Sequence, residues 1–508
     1  MFNVLNYLEE SAKNFPEKIA IKDDKKAYTY KEYITNAKLV GSRLSSVSEV
    51  RKPIVCFAQK NTDVLTAFMG IVYAGCFYTL VDPTFPVDRI NQILNVLKPE
   101  TVISYDSNMD KLKQAGYDGN VIDIEKLLDI NSSMGATDEN RLIEIRKNAV
   151  DTDPLYCNFT SGSTGVPKGV VICHRSVIDF IDNFTDVFKI SNEDVIANQA
   201  PFDFDVSVKD IFSSMKTGAT LVLIPKEFFM FPNSVIDMLD DNKVTTLIWA
   251  VSALTLLNRL HALKYKAPAT INKIMFSGEM MPVKQLNQWR AYYPEAMFVN
   301  LYGPTEITCN CTYYIVDKEF NEDDKIPMGN AFANEKVFLL RDDGTLVDKF
   351  EEPGEVCVAG TALALGYYNN EEMTKKAFTL NPLNKAYPEI IYHTGDLAYK
   401  KNDGLYYFAG RKDFQIKHMG HRIELEEIES VLANVSVVDA CCCFFDDVKN
   451  RVVAYYTGEG DRKQIIDEMK KKVPDYMIPN LFRKIDDMPL NKNGKTDRKQ
   501  IRAMYDAK

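Results

Sequence analysis

Short continuous apolar runs alternate along the chain with longer stretches whose apolar residues recur at helical spacing. The runs ATLVLIP (219–225), VTTLIWA (244–250), NKIMFSG (272–278) and MFVNLYG (297–303) predict strands. Between them lie amphipathic stretches such as HRSVIDFIDNFTDVF (174–188), which predict helices. That alternation is the pattern of α/β layers. From about residue 336 the pattern changes. KVFLLRDDGTLV predicts a hairpin with an Asp-Gly turn, followed by the short strands GEVCVAG and GLYYFAG, a small β-rich lobe. In the last hundred residues, LEEIESVLANV and RKQIIDEMKKKV predict amphipathic helices. VVDACCCFFDD and RVVAYYTG predict a strand pair turning at Val448-Lys449-Asn450. The expected fold is α/β: a large multi-lobed N-terminal part, two α/β lobes and a β-rich one, with a smaller α+β C-terminal domain. The boundary falls near Arg411–Phe414, giving 1–411 and 412–508. The polar segment 104–150 is read as an irregular peripheral connection.

With 508 residues the chain exceeds what one hydrophobic core serves, in keeping with several lobes. Its net charge of −10 provides no basic face for nucleic acid. The N-terminal MFNVLNYLEESAKNFPEK carries acids where a secretory signal carries bases, and no apolar run follows it. No charged residue lies between Asp63 and Asp82, but VLTAFMGIVYAGCFYTLV reads as a buried helix, a turn at Ala74-Gly75 and a strand rather than a membrane span. A cytoplasmic protein without membrane or nucleic-acid partners is expected. The ten cysteines are expected as reduced thiols, Cys441-Cys442-Cys443 serving as small apolar strand residues. Cys309-Asn310-Cys311 lacks the second Cys or His pair that a zinc site requires.

The strongest chemical signal is Thr160-Ser161-Gly162-Ser163-Thr164-Gly165-Val166-Pro167-Lys168-Gly169, placed between an apolar strand and a helix. Small residues let backbone N–H groups approach phosphate oxygens, hydroxyls add donors, and Lys168 adds a positive charge. The spacing is not that of a Walker loop, and Gly169 stands where that loop places a magnesium-binding hydroxyl. Further along come Asn300-Leu301-Tyr302-Gly303-Pro304-Thr305-Glu306 and Tyr392-His393-Thr394-Gly395-Asp396-Leu397. Gly410-Arg411-Lys412-Asp413-Phe414-Gln415-Ile416-Lys417 and Asn493-Gly494-Lys495-Thr496-Asp497-Arg498 follow.

In this order, these motifs resemble those of the adenylate-forming superfamily across most of the chain. FDFDVSVKDIF (202–212) and RIELEEIE (422–429) are most similar to stand-alone D-alanine–carrier protein ligases and nonribosomal peptide synthetase adenylation domains. The resemblance implies ATP and Mg2+ as cofactors and activation of a carboxylic acid as its acyl-AMP. It implies that Thr160, Ser161, Gly162, Ser163, Thr164 and Lys168 cradle phosphate, while Gly278, Glu279 and Asn300 face adenine. Tyr302, Gly303 and Thr305 belong to the same nucleotide site. Asp396 would accept from the ribose hydroxyls with Arg411 opposite, and Glu306 would hold magnesium. Lys495 would stabilise the charge developing on the α-phosphate. Asp413 would be the hinge on which the C-terminal domain swings to present residues 415–421 to a pantetheine thiol. His174 and His421 are equally well read as packing or as catalytic histidines.

Within this resemblance Asp205 pairs with an α-ammonium, since a buried carboxylate needs a cationic partner. That points to an amino acid. Val206, Lys209, Ile248, Met275, Ser277, Leu301, Cys309 and Asn310 would line the side-chain pocket. D-alanine ligases usually carry an apolar residue at the position of Lys209 and a cysteine at that of Ser277, so D-alanine fits poorly. Lys209 either enters the pocket with Asn310 or pairs with Asp205 four residues earlier. The chain runs ten residues past Arg498 without a pantetheine-bearing serine motif, so the acceptor is expected to be a separate phosphopantetheinylated carrier protein or coenzyme A. The alternatives are an acyl-CoA synthetase for non-amino acids and an inactive regulatory homologue.

Overall fold

The computed structural model describes residues 2–162, 165–490 and 496–506. Among the described residues, two large sheets form the body of the chain. The first runs in the order Gly366–Tyr367, Lys168–Cys173, Pro154–Thr160, Phe77–Val81, Pro53–Phe57, Thr101–Ser104 and Asn120–Asp123. The second places Met297–Tyr302, Lys273–Ser277, Thr246–Ala250, Val195–Asn198 and Thr220–Leu223 side by side, all parallel. One apolar core spans both sheets and takes in the helices Leu5–Asn14, Tyr30–Ser45, Thr62–Tyr73, His174–Phe188 and Val206–Thr217. A third sheet, built around Glu335–Leu340, Gly354–Gly360 and Ile390–Lys400, is the expected β-rich lobe. The three parts match the α/β architecture expected from the patterning.

The uncharged interval after Asp63 resolves as expected. Asn61 caps the helix Thr62–Tyr73 by accepting from the Val64 N–H, and every residue of that helix is buried. Gly75 turns the chain at φ +74, a left-handed conformation that favours glycine, and the strand Phe77–Val81 follows. Among the described residues no helix is long and apolar enough to cross a membrane.

Two expectations need correction. Segment 104–150 is not an irregular connection: Asn120–Asp123 pairs in parallel with Thr101–Ser104 at the sheet edge, flanked by the helices Met109–Gln114, Ile124–Leu128 and Glu139–Lys147. These elements are too short for their periodicity to be read. The buried Arg43 holds the segment, donating to the carbonyls of Lys126, Leu127 and Asp129. The phosphate-binding candidate joins two antiparallel strands, Pro154–Thr160 and Lys168–Cys173, rather than a strand and a helix. The helix His174–Phe188 begins only after the second strand.

Residues after Arg411 form a hairpin, Gln415–His418 with His421–Glu424, and a three-stranded sheet of Ala440–Asp446, Arg451–Thr457 and Leu481–Lys484. The helices Leu425–Ala433 and Arg462–Met469 close over a separate core that includes Ile428, Val452 and Ile465. The cysteine triplet lies in the first of those strands, as expected, and the ten cysteines are free.

Candidate active site

Strand ends and the loops beyond them carry most of the site. Gly162 sits where an added Cβ would lie 2.0 Å from the Val166 carbonyl oxygen, so the loop can only close on a glycine. The Gly165 N–H donates to the Gly162 carbonyl at 2.9 Å, and Gly165 adopts φ +77. Thr160, Ser161 and Lys168 stand on this loop; Ser163 and Thr164 lie outside the described residues. Gly278, at φ +95 with open space at its Cβ, ends the strand Lys273–Ser277 beside Glu279.

Opposite this loop, Met297–Tyr302 delivers Asn300 and Tyr302. Asn300 donates to the Pro327 carbonyl at 2.7 Å. The Tyr302 hydroxyl donates to Asp396 at 2.6 Å, and the Arg411 guanidinium binds the other oxygen of that carboxylate. Arg411 also donates twice to Asp413, at 2.6 and 2.8 Å, so the expected hinge residue is tied to the expected ribose carboxylate. Gly303 has no room for a side chain: an added Cβ would lie 2.5 Å from the Asn310 Cα. That close approach folds Thr308, Cys309 and Asn310 back against the strand. Thr308 and Cys309 both take positive φ, 50 and 81, a strained conformation of a kind that recurs at functional sites.

Glu306 is fully buried. It accepts from the Tyr367 hydroxyl at 2.7 Å and forms an ion pair with Arg422 at 2.6 Å. Burial alone would raise its carboxyl, but Arg422 and Tyr367 outweigh that and hold it below the usual glutamate range.

Arg422 comes from the C-terminal hairpin, and it does not come alone. The Ser161 hydroxyl donates to the Arg422 carbonyl at 2.8 Å and accepts from the Glu424 N–H. Lys168 pairs with Glu424 at 3.3 Å, and the Gly162 N–H donates to Glu427 at 3.1 Å. Arg89 pairs with the other Glu427 oxygen at 2.8 Å, both side chains buried. The Gly420 N–H at the hairpin tip donates to Glu279 at 2.7 Å. Lys417 lies 5.6 Å from the Tyr302 ring centre, its ammonium destabilised by burial and supported by Asp396 and Asp205. The hairpin therefore covers the candidate nucleotide site, with its own Glu424, and Glu427 of the following helix, on the phosphate-loop donors. Patterning along the chain could not have revealed the roles of Arg89, Tyr367, Lys417, Arg422, Glu424 and Glu427, because each depends on how distant segments dock.

Both candidate histidines have packing partners. His174 accepts from the Val4 N–H through Nδ1 at 3.4 Å, and burial pushes its pKa down to about 3. His421 stacks on Tyr476 at 3.7 Å between ring centres and is likewise lowered to about 3 by burial.

Asp205 precedes the helix Val206–Thr217 and lines a cleft shared with Thr160, Phe204, Thr305 and Tyr476. Burial raises its carboxyl above the usual aspartate range, opposed by a hydrogen bond from Thr305 and the charge of Lys209. Among the described residues no lysine, arginine or histidine nitrogen lies within 4.0 Å of that carboxylate. The expected alternative of an Asp205–Lys209 ion pair is thus not what the structure contains. Lys209 instead donates to Asn310 Oδ1 at 2.8 Å and Ser277 Oγ at 3.1 Å. Val206, Ile248, Met275, Leu301 and Cys309 are all buried. Lys495 lies outside the described residues.

Outside this site Glu355, Cys357 and His393 bring their ligand atoms within 4.8 Å of one another, a grouping that chain spacing does not reveal. Lys412 and the Gly395 N–H already partner Glu355, and Thr379 partners His393.

Residues 8–368 match the family described as AMP-binding enzyme, and residues 427–495 match the AMP-binding enzyme C-terminal domain. The chain is 33% identical to bacitracin synthase 1 of Bacillus licheniformis, over 97% of its own length and 9% of that protein's. It thus spans about a tenth of that relative. It is 30% identical to the D-alanine–D-alanyl carrier protein ligase of Staphylococcus aureus (strain bovine RF122 / ET3-1), covering 99% of both. In fold it is similar to the Vibrio cholerae adenylation domain AlmE in complex with glycyl-adenosine-5'-phosphate. There the TM-score is 0.84 at 20% identity, over 100% of this chain and 98% of the other.

Proposed function

The chain belongs to the AMP-binding, adenylate-forming enzyme family, and we propose that it activates an amino acid as the aminoacyl-AMP and transfers it to the phosphopantetheine thiol of a separate carrier protein. The observation that carries this reading is Asp205. A carboxylate this deeply buried, with no cationic side chain within ion-pair distance among the described residues, calls for a cation from outside. The α-ammonium of an amino acid supplies it. The relative named D-alanine–D-alanyl carrier protein ligase supports the same reading.

In the first half-reaction a substrate carboxylate oxygen attacks the α-phosphorus of ATP, and the bond to pyrophosphate breaks. Ser161, the Gly162 N–H and Lys168 would hold the departing phosphates, while Asp396 and Arg411 would fix the ribose. Glu306 would hold Mg2+, a hard cation suited to one carboxylate plus phosphate oxygens, once Arg422 has withdrawn. When bound, Mg2+ neutralises charge on the phosphates. In the second half-reaction the thiol sulfur attacks the acyl carbon, the mixed anhydride C–O bond breaks, and AMP leaves as the thiol proton passes to solvent.

The docked hairpin suits the second step. Glu424 and Glu427 sit on donors that phosphate would need, so pyrophosphate and the docked domain compete for the same groups. Glu427→Gln should therefore slow thiol transfer by about ten- to a hundredfold, the worth of a hydrogen bond to a charged group. Adenylate formation should be unchanged. Single-turnover transfer from preformed adenylate measures the first quantity, and ATP–pyrophosphate exchange the second.

Asp413→Pro should separate the half-reactions at the hinge. Proline fixes φ and removes the carboxylate that holds Arg411. Transfer is expected to fall by roughly an order of magnitude or more while exchange survives. Equal loss of both would place Asp413 outside any hinge.

Exchange across L- and D-amino acids tests the reading itself, followed by loading of a phosphopantetheinylated carrier against coenzyme A. Exchange supported only by acids lacking an amine would make the chain an acyl-CoA synthetase, and none at all would make it an inactive homologue.

A further inference from the structure

Lys209 is the charged group that the proposed chemistry leaves unused. It stands one helical turn beyond Asp205 on Val206–Thr217, with no exposed surface at all. Among the described residues no carboxylate oxygen lies within 4.0 Å of its Nζ. Its hydrogen-bond acceptors are neutral: Asn310 Oδ1 at 2.8 Å and Ser277 Oγ at 3.1 Å, with the Cys309 thiol beside them. Asp210, next along the helix, accepts from Asn198 through one oxygen at 2.7 Å, and the charges of both Lys209 and the buried Lys60 act on it at longer range.

A buried ammonium held only by neutral dipoles is an uncommon arrangement, because burying an unpaired charge is costly. Before substrate arrives, Asp205 and Lys209 oppose each other's charge at longer range. Binding an amino acid changes that balance. Its ammonium neutralises Asp205, and Lys209 then loses one of the two carboxylates that act on it at longer range. A substrate side chain ending in a carboxylate restores neutrality, and an apolar side chain does not. Ile248, Met275 and Leu301 are buried in the core that also takes in Cys309, and Lys209 reaches the polar groups of Ser277 and Asn310.

We infer that the amino acid activated here carries a side-chain carboxylate, which Lys209 receives with Asn310 and Ser277 as its supports. The inference rests on the reading of the site as an amino-acid activating centre. Asp205 takes the α-ammonium, Lys209 takes the side chain, and the α-carboxylate is left to react.

ATP–pyrophosphate exchange with L- and D-forms of aspartate, glutamate, asparagine, glutamine, alanine and valine, together with glycine, is the test. The native enzyme should exchange fastest with aspartate or glutamate. Lys209→Met should lower exchange on that substrate by about ten- to a hundredfold and raise it on alanine or valine. Asn310→Asp guards against a Met variant that fails to fold. It keeps the lysine and supplies a carboxylate internally, so it too should shift preference from acidic to neutral substrates. Fastest exchange by the native enzyme with glycine, alanine or valine overturns the inference while leaving amino-acid activation intact. A uniform decline across substrates in both variants also overturns it, since Lys209 would then serve only to support Asp205. Fastest exchange with the amides overturns the carboxylate in favour of a neutral acceptor. Exchange with none of the amino acids would instead defeat the underlying reading.

Discussion

Lys495→Ala should reduce the rate of adenylate formation by about 10²–10³-fold, the usual cost of losing one preorganised donor to a developing anion. Charge accumulates on the α-phosphate as the carboxylate attacks, and the resemblance assigns Lys495 to that charge. ATP binding should change little, because on the proposed reading the loop donors, Asp396 and Arg411 would make the ground-state contacts. Transfer from preformed aminoacyl-AMP to thiol should proceed at the native rate. On the proposed reading that half-reaction belongs to the docked arrangement, in which Arg422 and Glu424 of the hairpin and Glu427 of the following helix engage the core. A mutant equally slow in both half-reactions would show that one lysine serves both.

Asp205→Ala should lower kcat/KM for amino-acid activation by about 10²–10⁴-fold. Removing one partner of a buried ion pair costs about 3–5 kcal/mol, and each 1.4 kcal/mol is about tenfold. ATP affinity should be preserved. The same carboxylate gives a pH dependence of definite sign. Burial raises Asp205 above the usual aspartate range, and only its ionised form can receive an ammonium. Activation should therefore be complete above that raised pKa and be lost as pH falls through it, measured as kcat/KM by exchange. Lys209 lowers the Asp205 pKa, so Lys209→Met should move the acid limb to higher pH. An acid limb unmoved in that variant, with the mutant folded, would show that the two charges do not interact.

Much of the architecture is legible in the chain because its elements are long or strongly patterned. The helix His174–Phe188 falls where the amphipathic stretch predicts it, and the strand pair Ala440–Asp446 with Arg451–Thr457 turns at the predicted residues. The strands Thr246–Ala250, Lys273–Ser277 and Met297–Tyr302 lie within their predicted runs. The phosphate-binding candidate is equally visible, since Gly162 and Gly165 occur where the backbone admits nothing larger or requires positive φ. Segment 104–150 was not legible, because Asn120–Asp123 is four residues long and gains its strand conformation from Thr101–Ser104.

By itself the sequence determined the family's motifs, the order of the lobes and the identity of the charged residues, because each is fixed by local residue type and spacing. Partnership was decided only by tertiary structure. Asp205 and Lys209 are one helical turn apart, and spacing alone allows them to pair. The fold instead turns Lys209 toward Ser277 and Asn310, residues 68 and 101 positions away, the second of them packed against Gly303. Likewise no local pattern links Glu306 to Arg422 or Gly162 to Glu427. Those contacts exist because a separately folded domain sets its hairpin on the core, and the burial that follows makes their charges strong enough to matter.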